Sequence, residues 1–264
     1  MPGPIELLRA DPAATAILTD VDGAIAPIVD DPAAAAVPAP VRDTLAGLAA
    51  AYRLVGCVSG RRVEQAMRMV GLSQLAYAGN HGFEIREPGA DETGFAPELA
   101  GLEDEAASLL RTVDPEFLRA ADLRTEDKGP IQALHWRGAI DPEMAEQAAR
   151  DIAVRAEAAG LHTHWGRMVL ELRPQVELSK GTAVTALVRG AGVRAAFYGG
   201  DDATDLDAFR ALRALREAGE LDTVVCVGIS SAEGPQAIVD EADLVVDGPS
   251  GYAAVLADLL PAGT

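Results

Sequence analysis

The stretch Ala16-Ile17-Leu18-Thr19-Asp20-Val21-Asp22-Gly23 decides the fold. A short strand-forming run ends on two acids spaced two apart, and a glycine follows. Residues two apart on extended backbone point to the same side, so Asp20 and Asp22 face one place. Gly23 lets the chain turn sharply away. A short apolar run without polar alternation is buried on both faces, as in a parallel sheet covered by helices. Working outward, similar runs return at Leu54-Val55-Gly56-Cys57-Val58, Leu75-Ala76-Tyr77-Ala78, Ala195-Ala196-Phe197-Tyr198, Val224-Val225-Cys226-Val227 and Leu244-Val245-Val246. Helical patterns lie between them, near 41–52, 63–70, 180–189, 205–218 and 252–260. This alternation predicts an α/β fold with a Rossmann-like parallel-sheet core.

The middle of the chain reads differently. It holds two long helical stretches, 98–111 and 142–159, and strand-like runs at 131–136, 162–165 and 168–172. Trp165-Gly166-Arg167-Met168 reads as a hairpin turn, with Gly166 taking the awkward dihedral. Strands joined by tight turns are antiparallel. The prediction is an α+β domain at 84–173 inserted into a core built from 1–83 and 174–264.

Composition narrows the function classes. The chain has 264 residues, with 22 Lys+Arg against 41 Asp+Glu, a formal net charge of −19. Hydrophobic residues make up 49% and aromatics 4%. That is a globular composition rather than a disordered one. So acidic a chain repels phosphodiester backbones and anionic lipid heads, so no nucleic acid or membrane partner is expected. The start, Met1-Pro2-Gly3-Pro4-Ile5-Glu6, is not a signal peptide. The apolar segment 33–40 is too short and too proline-rich to cross a membrane. Cys57 and Cys226, the only cysteines, sit in apolar runs and read as small buried side chains. A monomer in a reducing cytoplasm is expected.

In an open parallel sheet, function gathers beyond the carboxyl ends of the strands. Asp20-Val21-Asp22-Gly23 follows the first strand and Ser59-Gly60-Arg61 the second. Gly199-Gly200-Asp201-Asp202-Ala203-Thr204-Asp205 follows the fourth, and Lys180 opens the helix before it. The chain has 20 arginines and only two lysines, Lys128 and Lys180. Two carboxylates on one side can flank a substrate atom, one as nucleophile and one as proton donor. Crowded carboxylates repel, and a hard divalent cation such as Mg²⁺ relieves that repulsion while holding phosphate oxygens. Ser59 can hydrogen-bond a phosphoryl oxygen, and Lys180 can neutralise developing charge. Each element alone reads as an ordinary loop, helix cap or surface cation. Together, in this order, they suit phosphoryl transfer through an aspartyl-phosphate.

At these residues the chain resembles the haloacid dehalogenase superfamily of aspartate-nucleophile phosphatases. The four motifs align as Asp20-Val21-Asp22-Gly23, Ser59, Lys180 and Gly200-Asp201-Asp202 with Asp205. Gly79-Asn80-His81-Gly82, Glu126-Asp127-Lys128, His135-Trp136-Arg137, Glu171-Leu172-Arg173-Pro174 and Lys180-Gly181-Thr182-Ala183 narrow the resemblance to trehalose-6-phosphate phosphatases. It covers nearly the whole chain. It implies a haloacid dehalogenase-type core with an inserted cap, Mg²⁺ as cofactor, and trehalose 6-phosphate as small-molecule substrate. Asp20 matches the nucleophile and a metal ligand. Asp22 matches the general acid/base, which also lends the metal its carbonyl. Asp201 matches the third ligand, with Asp202 and Asp205 near or behind it. Ser59 and Lys180 match phosphate contacts, and Gly60 and Arg61, next to Ser59, are expected to bind substrate. Glu126, Lys128 and Glu171 match residues that hold sugar hydroxyls, with Asn80 and Arg137 as further candidates. Ala24 stands where the family usually has threonine. Another sugar phosphate, of sucrose or glycosylglycerate type, and a catalytically silent binding module are the alternatives.

Overall fold

The computed structural model describes residues 3–29, 35–231 and 234–261. Met1 and Pro2, and residues 33–34 of the apolar segment, lie outside these ranges. The chain divides into two compact units, one running to Gly94 and resuming at Leu178, the other Phe95–Glu177. The chain begins with α1 (Pro4–Ala10), β1 (Thr15–Thr19), α2 (Ala39–Ala51), β2 (Leu54–Val58), α3 (Val63–Val70), β3 (Ala76–Gly79), β4 (Glu84–Arg86) and β5 (Gly94–Phe95). The second unit holds α4 (Glu105–Leu110), α5 (Pro115–Ala120), β6 (Arg124–Lys128), β7 (Ile131–His135), α6 (Pro142–Ala158), β8 (His162–Gly166) and β9 (Val169–Arg173). The first unit then resumes with α7 (Lys180–Ala191), β10 (Ala195–Gly200), α8 (Asp205–Glu217), β11 (Thr223–Ser230), α9 (Gln236–Asp240), β12 (Leu244–Asp247) and α10 (Gly248–Asp258).

The eight-stranded sheet has the order β12-β11-β10-β1-β2-β3-β4-β5. Its first six strands pair in parallel. Every residue of β1 and β2 is buried, because each face of the sheet has its own helical cover. Ile17, Val55 and Phe197 pack with Leu45 and Leu48 of α2 and Tyr252 and Leu256 of α10. Leu18, Val58 and Tyr198 pack with Val184 and Leu187 of α7 and Phe209 and Leu212 of α8. Burying each such aliphatic or aromatic side chain stabilises by roughly 1.5–3 kcal/mol. This fixes β1 between β10 and β2, and so fixes whose ends meet.

The second unit is a four-stranded antiparallel sheet of order β6-β7-β9-β8. One face carries Leu134, Leu170 and Leu172 against Ala145, Ala149 and Ile152 of α6, a core of its own. The alternate residues form the opposite, polar face.

Three expectations need correction. Residues 84–86 belong with the first unit, because Ala78 pairs with Ile85 and Gly79 with Glu84 across an antiparallel ladder. The insertion therefore runs 95–177 rather than 84–173. The stretch 98–111 is not one helix. A single 3-10 turn at Pro97–Leu99 is cut off at Gly101, whose φ of 84° leaves the helical region, and α4 begins only at Glu105. The charged run Arg124–Lys128 is an edge strand that apolar periodicity could not show. In the β8–β9 hairpin Met168 takes the left-handed dihedral, φ 61°. Gly166 is needed for space instead: a Cβ there would lie 2.8 Å from the Val169 side chain.

Candidate active site

Because β10, β1 and β2 are adjacent and parallel, their carboxyl ends share one edge. Thr19 is in register with Gly199 and with Cys57, so the residues just beyond them converge. The Asp20 amide donates to the Gly199 carbonyl at 2.8 Å, which seats the loop on β10. Gly23 adopts a φ of 78°, and a Cβ on it would fall 2.0 Å from Asp201 Oδ2. The glycine lets the Asp201 carboxyl lie against the loop after β1.

Lys180 arrives from a helix start. Ser179 caps α7 by accepting from the Gly181 and Thr182 amides, leaving Lys180 as its first residue. Helices α7 and α8 begin side by side, since a Cβ on Gly181 would stand 2.6 Å from the Asp207 carbonyl oxygen. Lys180 Nζ thereby donates to Asp20 Oδ1 and to Asp205 Oδ1, both at 2.8 Å. Asp205 is fully buried. It accepts from the Tyr198 hydroxyl at 2.6 Å and from the amides of Asp201 and Asp202 at 3.0 and 3.1 Å. With Lys180 these four donors fill its carboxylate, so Asp205 anchors the loop.

Carboxylate oxygens of Asp20, Asp201 and Asp205 all lie within 4.8 Å of one another. These three carboxylates, and Asp202 Oδ1 at 4.0 Å from Lys180 Nζ, face the single charge of Lys180. Burial alone would lower the Lys180 pKa, but Asp20 and Asp205 outweigh it and keep the ammonium charged. Burial pushes Asp20 well up, against the pull of Lys180. Burial, then Asp205 and Asp202, push Asp201 up to about 6. A hard divalent cation among these oxygens would remove the imbalance and keep the acids ionised. The donor set fits one, with Asp20 and Asp201 as its carboxylate holders. Asp202 does not join this group: its Oδ1 accepts from the Thr204 amide and hydroxyl at 2.7 and 2.6 Å. The Asp22 carboxylate is not in it either.

Asp22 is instead gripped by Arg61, through Nε to Oδ2 at 2.7 Å and Nη2 to Oδ1 at 2.6 Å. Such a two-point pair fixes both position and rotation of the carboxyl. Ser59 is buried and its hydroxyl oxygen accepts from the Arg61 amide at 3.1 Å, which shapes the loop. A side chain at Gly60 would run into the His81 ring. Asn80, 2% exposed, donates to Glu84 Oε1 at 2.8 Å. Glu84 also accepts from Arg62 Nε at 3.1 Å and from the Val63 amide at the start of α3. Asn80 thus braces the loop after β3. Glu84 and Tyr198 are contributors the sequence did not flag. A lone acid or tyrosine in a buried run is the only local signal they carry.

The second unit gathers Glu126, Lys128 and Glu171 on the polar face of its sheet. Lys128 Nζ donates to Glu171 Oε1 at 2.8 Å and lies 3.9 Å from Glu126 Oε2. Arg173 holds Glu171 Oε2 through Nε and Nη2, at 3.0 and 2.5 Å. His135 Nε2 lies 2.8 Å from Glu126 Oε2. Burial by itself would raise Glu171, but the hydrogen bonds from Lys128 and Arg173 hold it at about 2. Arg137 stands apart on an exposed turn, its carbonyl accepting from Arg124 Nη2 at 2.8 Å.

The chain is similar in sequence and in fold to known proteins. The curated trehalose-phosphate phosphatase of Mycolicibacterium paratuberculosis is 36% identical over 211 residues, which are 75% of this chain and 51% of that protein. The chain spans between about half and three-fifths of the length of the curated relatives it matches. The C-terminal domain of the C. albicans trehalose-6-phosphate phosphatase superposes with a TM-score of 0.70 at 19% identity, covering 97% of this chain and 95% of that one. A haloacid dehalogenase-like hydrolase from Bacteroides thetaiotaomicron superposes with a TM-score of 0.66 at 14% identity, covering 92% and 98%. The fold is of haloacid dehalogenase type, a Rossmann-like core with an inserted α+β unit. The family model described as trehalose-phosphatase matches residues 18–239, a span that holds every acid and both lysines discussed above, and the chain belongs to that family.

Proposed function

We propose that this chain is a Mg²⁺-dependent phosphatase that hydrolyses trehalose 6-phosphate to trehalose and phosphate through an aspartyl-phosphate on Asp20. One observation carries the reading: Lys180 joins Asp20 to Asp205 at 2.8 Å each, beside the Asp201 carboxyl. A silent binding module has no need of a buried acid triad matched by a single lysine.

The chemistry follows from what each residue is held to do. Lys180 fixes the Asp20 carboxylate, whose oxygen attacks phosphorus as the bond to the sugar oxygen breaks. A dianionic phosphoryl group draws Arg61 from Asp22; the freed Asp22 carboxylate takes up a proton from solvent and passes it to the leaving sugar oxygen as the bond to phosphorus breaks. Asp22, now a carboxylate, takes a proton from water, and that water releases phosphate from Asp20. Ser59, Gly60 and Arg61 hold phosphoryl oxygens. Mg²⁺, when bound by Asp20 and Asp201 with the Asp22 carbonyl, supplies the positive charge that lets acids and phosphate approach. Glu126, Lys128 and Glu171 read the disaccharide hydroxyls. Both cysteines are buried and free, and no helix of the described residues is long and apolar enough to cross a membrane. A cytoplasmic, monomeric enzyme is part of the proposal.

Phosphate release from a panel of sugar phosphates, with Mg²⁺ or with chelator, tests the reading. Trehalose 6-phosphate should be preferred over sucrose-type and glycosylglycerate-type phosphates, and chelation should abolish turnover. Asp20→Asn should lose activity by at least about a thousandfold while melting like the parent protein. Near-normal turnover in that variant would remove the assigned nucleophile.

A further inference from the structure

The polar face of the second unit is a grid whose rows follow from strand register. In the middle row His164 of β8 lies opposite Glu171 of β9, which lies opposite Ala133 of β7, which lies opposite Glu126 of β6. Beside it, His162 lies opposite Arg173 at one side of the sheet and Ile131 opposite Lys128 at the other. Directly opposed residues on one face are near neighbours, with Cβ atoms about 4.5–5.5 Å apart. His164 therefore stands next to Glu171 in the row that also holds Glu126. Ala133, between the two glutamates, is fully buried, and Lys128 Nζ lies 2.8 Å from Glu171 and 3.9 Å from Glu126.

Apart from its histidines, the chemistry of this face is one-sided, and of these His135 is already engaged by Glu126 while His162 stands opposite Arg173. Lys128 and Arg173 only donate, and Glu126 and Glu171 only accept while ionised. They are already joined to one another or to His135. A sugar hydroxyl is both donor and acceptor. Desolvation first, then Arg173, lowers the His164 pKa, with Glu171 opposing, so the ring is neutral at physiological pH. A neutral imidazole offers one N–H and one lone pair.

We propose that His164 is a substrate-binding residue that extends the sugar-reading face onto β8, pairing with a ring hydroxyl of the disaccharide beside Glu171. This rests on the reading of Glu126, Lys128 and Glu171 given above. His164 is exposed on an edge strand, so its replacement leaves the packed face of the sheet untouched.

The test uses calorimetric affinity for trehalose 6-phosphate, and for inorganic phosphate, of the full chain carrying Asp20→Asn, with Mg²⁺ present. His164→Phe keeps the ring volume and removes donor and acceptor; it should weaken trehalose 6-phosphate about fivefold, the worth of one net hydrogen bond. Its affinity for inorganic phosphate should change by less than about twofold, since that anion carries no sugar hydroxyl. His164→Gln, which restores a donor and an acceptor, should recover most of the loss. If His164→Phe binds trehalose 6-phosphate normally while Glu171→Gln binds it weakly, the His164 assignment is wrong and the face still reads sugar. Unchanged binding in both variants overturns the reading of the face itself. Equal weakening of both ligands by His164→Phe also overturns the proposal.

Discussion

At the scale of single residues, position depends on what a neighbour excludes. Gly23 is required less by its turn than by Asp201, whose carboxyl occupies the space a Cβ would need. Gly23→Ala must therefore push Asp201 outward and strain a φ of 78°. We expect turnover to fall at least about a hundredfold, as misplacements of an ångström do. The Mg²⁺ concentration needed for half-activation should rise as well. Steady-state rates over a Mg²⁺ titration check this, and a variant within threefold of the parent would mean that Asp201 has room to spare. Ala24 is completely buried, so the small apolar residue at that position packs into the interior. Both lysines, out of a basic set dominated by arginine, sit between carboxylates: Lys180 at the first unit's edge and Lys128 on the second unit's sheet.

At the scale of elements, strand β9 joins the stability of the second unit to its surface chemistry. Leu170 and Leu172 point into its core while Glu171 and Arg173 point away. The Glu171 pKa is depressed to about 2 from an ordinary value near 4.5. A carboxyl lowered by folding stabilises the folded state above its unfolded pKa. That contribution fades as pH falls through the folded value. Glu171→Gln should thus cost about 2 kcal/mol at pH 7, and the difference from the parent should shrink between about pH 4.5 and pH 2. Denaturant unfolding at several pH values measures it. A difference that stays constant with pH would show that Lys128 and Arg173 do not act through charge. The element-level errors of the sequence reading share a cause. Strand β6 has no apolar alternation because it is an edge strand with a polar face, and β4 is too short to show a period. Their existence rests on the partner strand.

At the scale of the whole molecule, two units with separate apolar cores share one chain. The second unit's core does not draw on residues of the first. Calorimetric unfolding is expected to depart from two-state behaviour, with a van't Hoff enthalpy below the calorimetric one. Equal enthalpies would show that the units unfold as one. The net charge of −19 opposes compaction at low ionic strength, so added salt should move these transitions upward.

The sequence by itself determined the parallel core and the order in which Asp20, Ser59, Lys180 and Asp201 end or begin elements. It could do so because strand and helix periods, and the loops that follow them, are local properties of neighbouring residues. The tertiary structure alone decided which acids meet. Asp20 and Lys180 are 160 positions apart, Asp22 and Arg61 are 39 apart, and no periodicity spans such distances. It also decided that Asp205 is spent on four donors, that Asp202 turns to Thr204, and that Asn80 braces Glu84. The physical reason is that a carboxylate's role depends on the donors and charges packed around it, and packing brings those from remote parts of the chain.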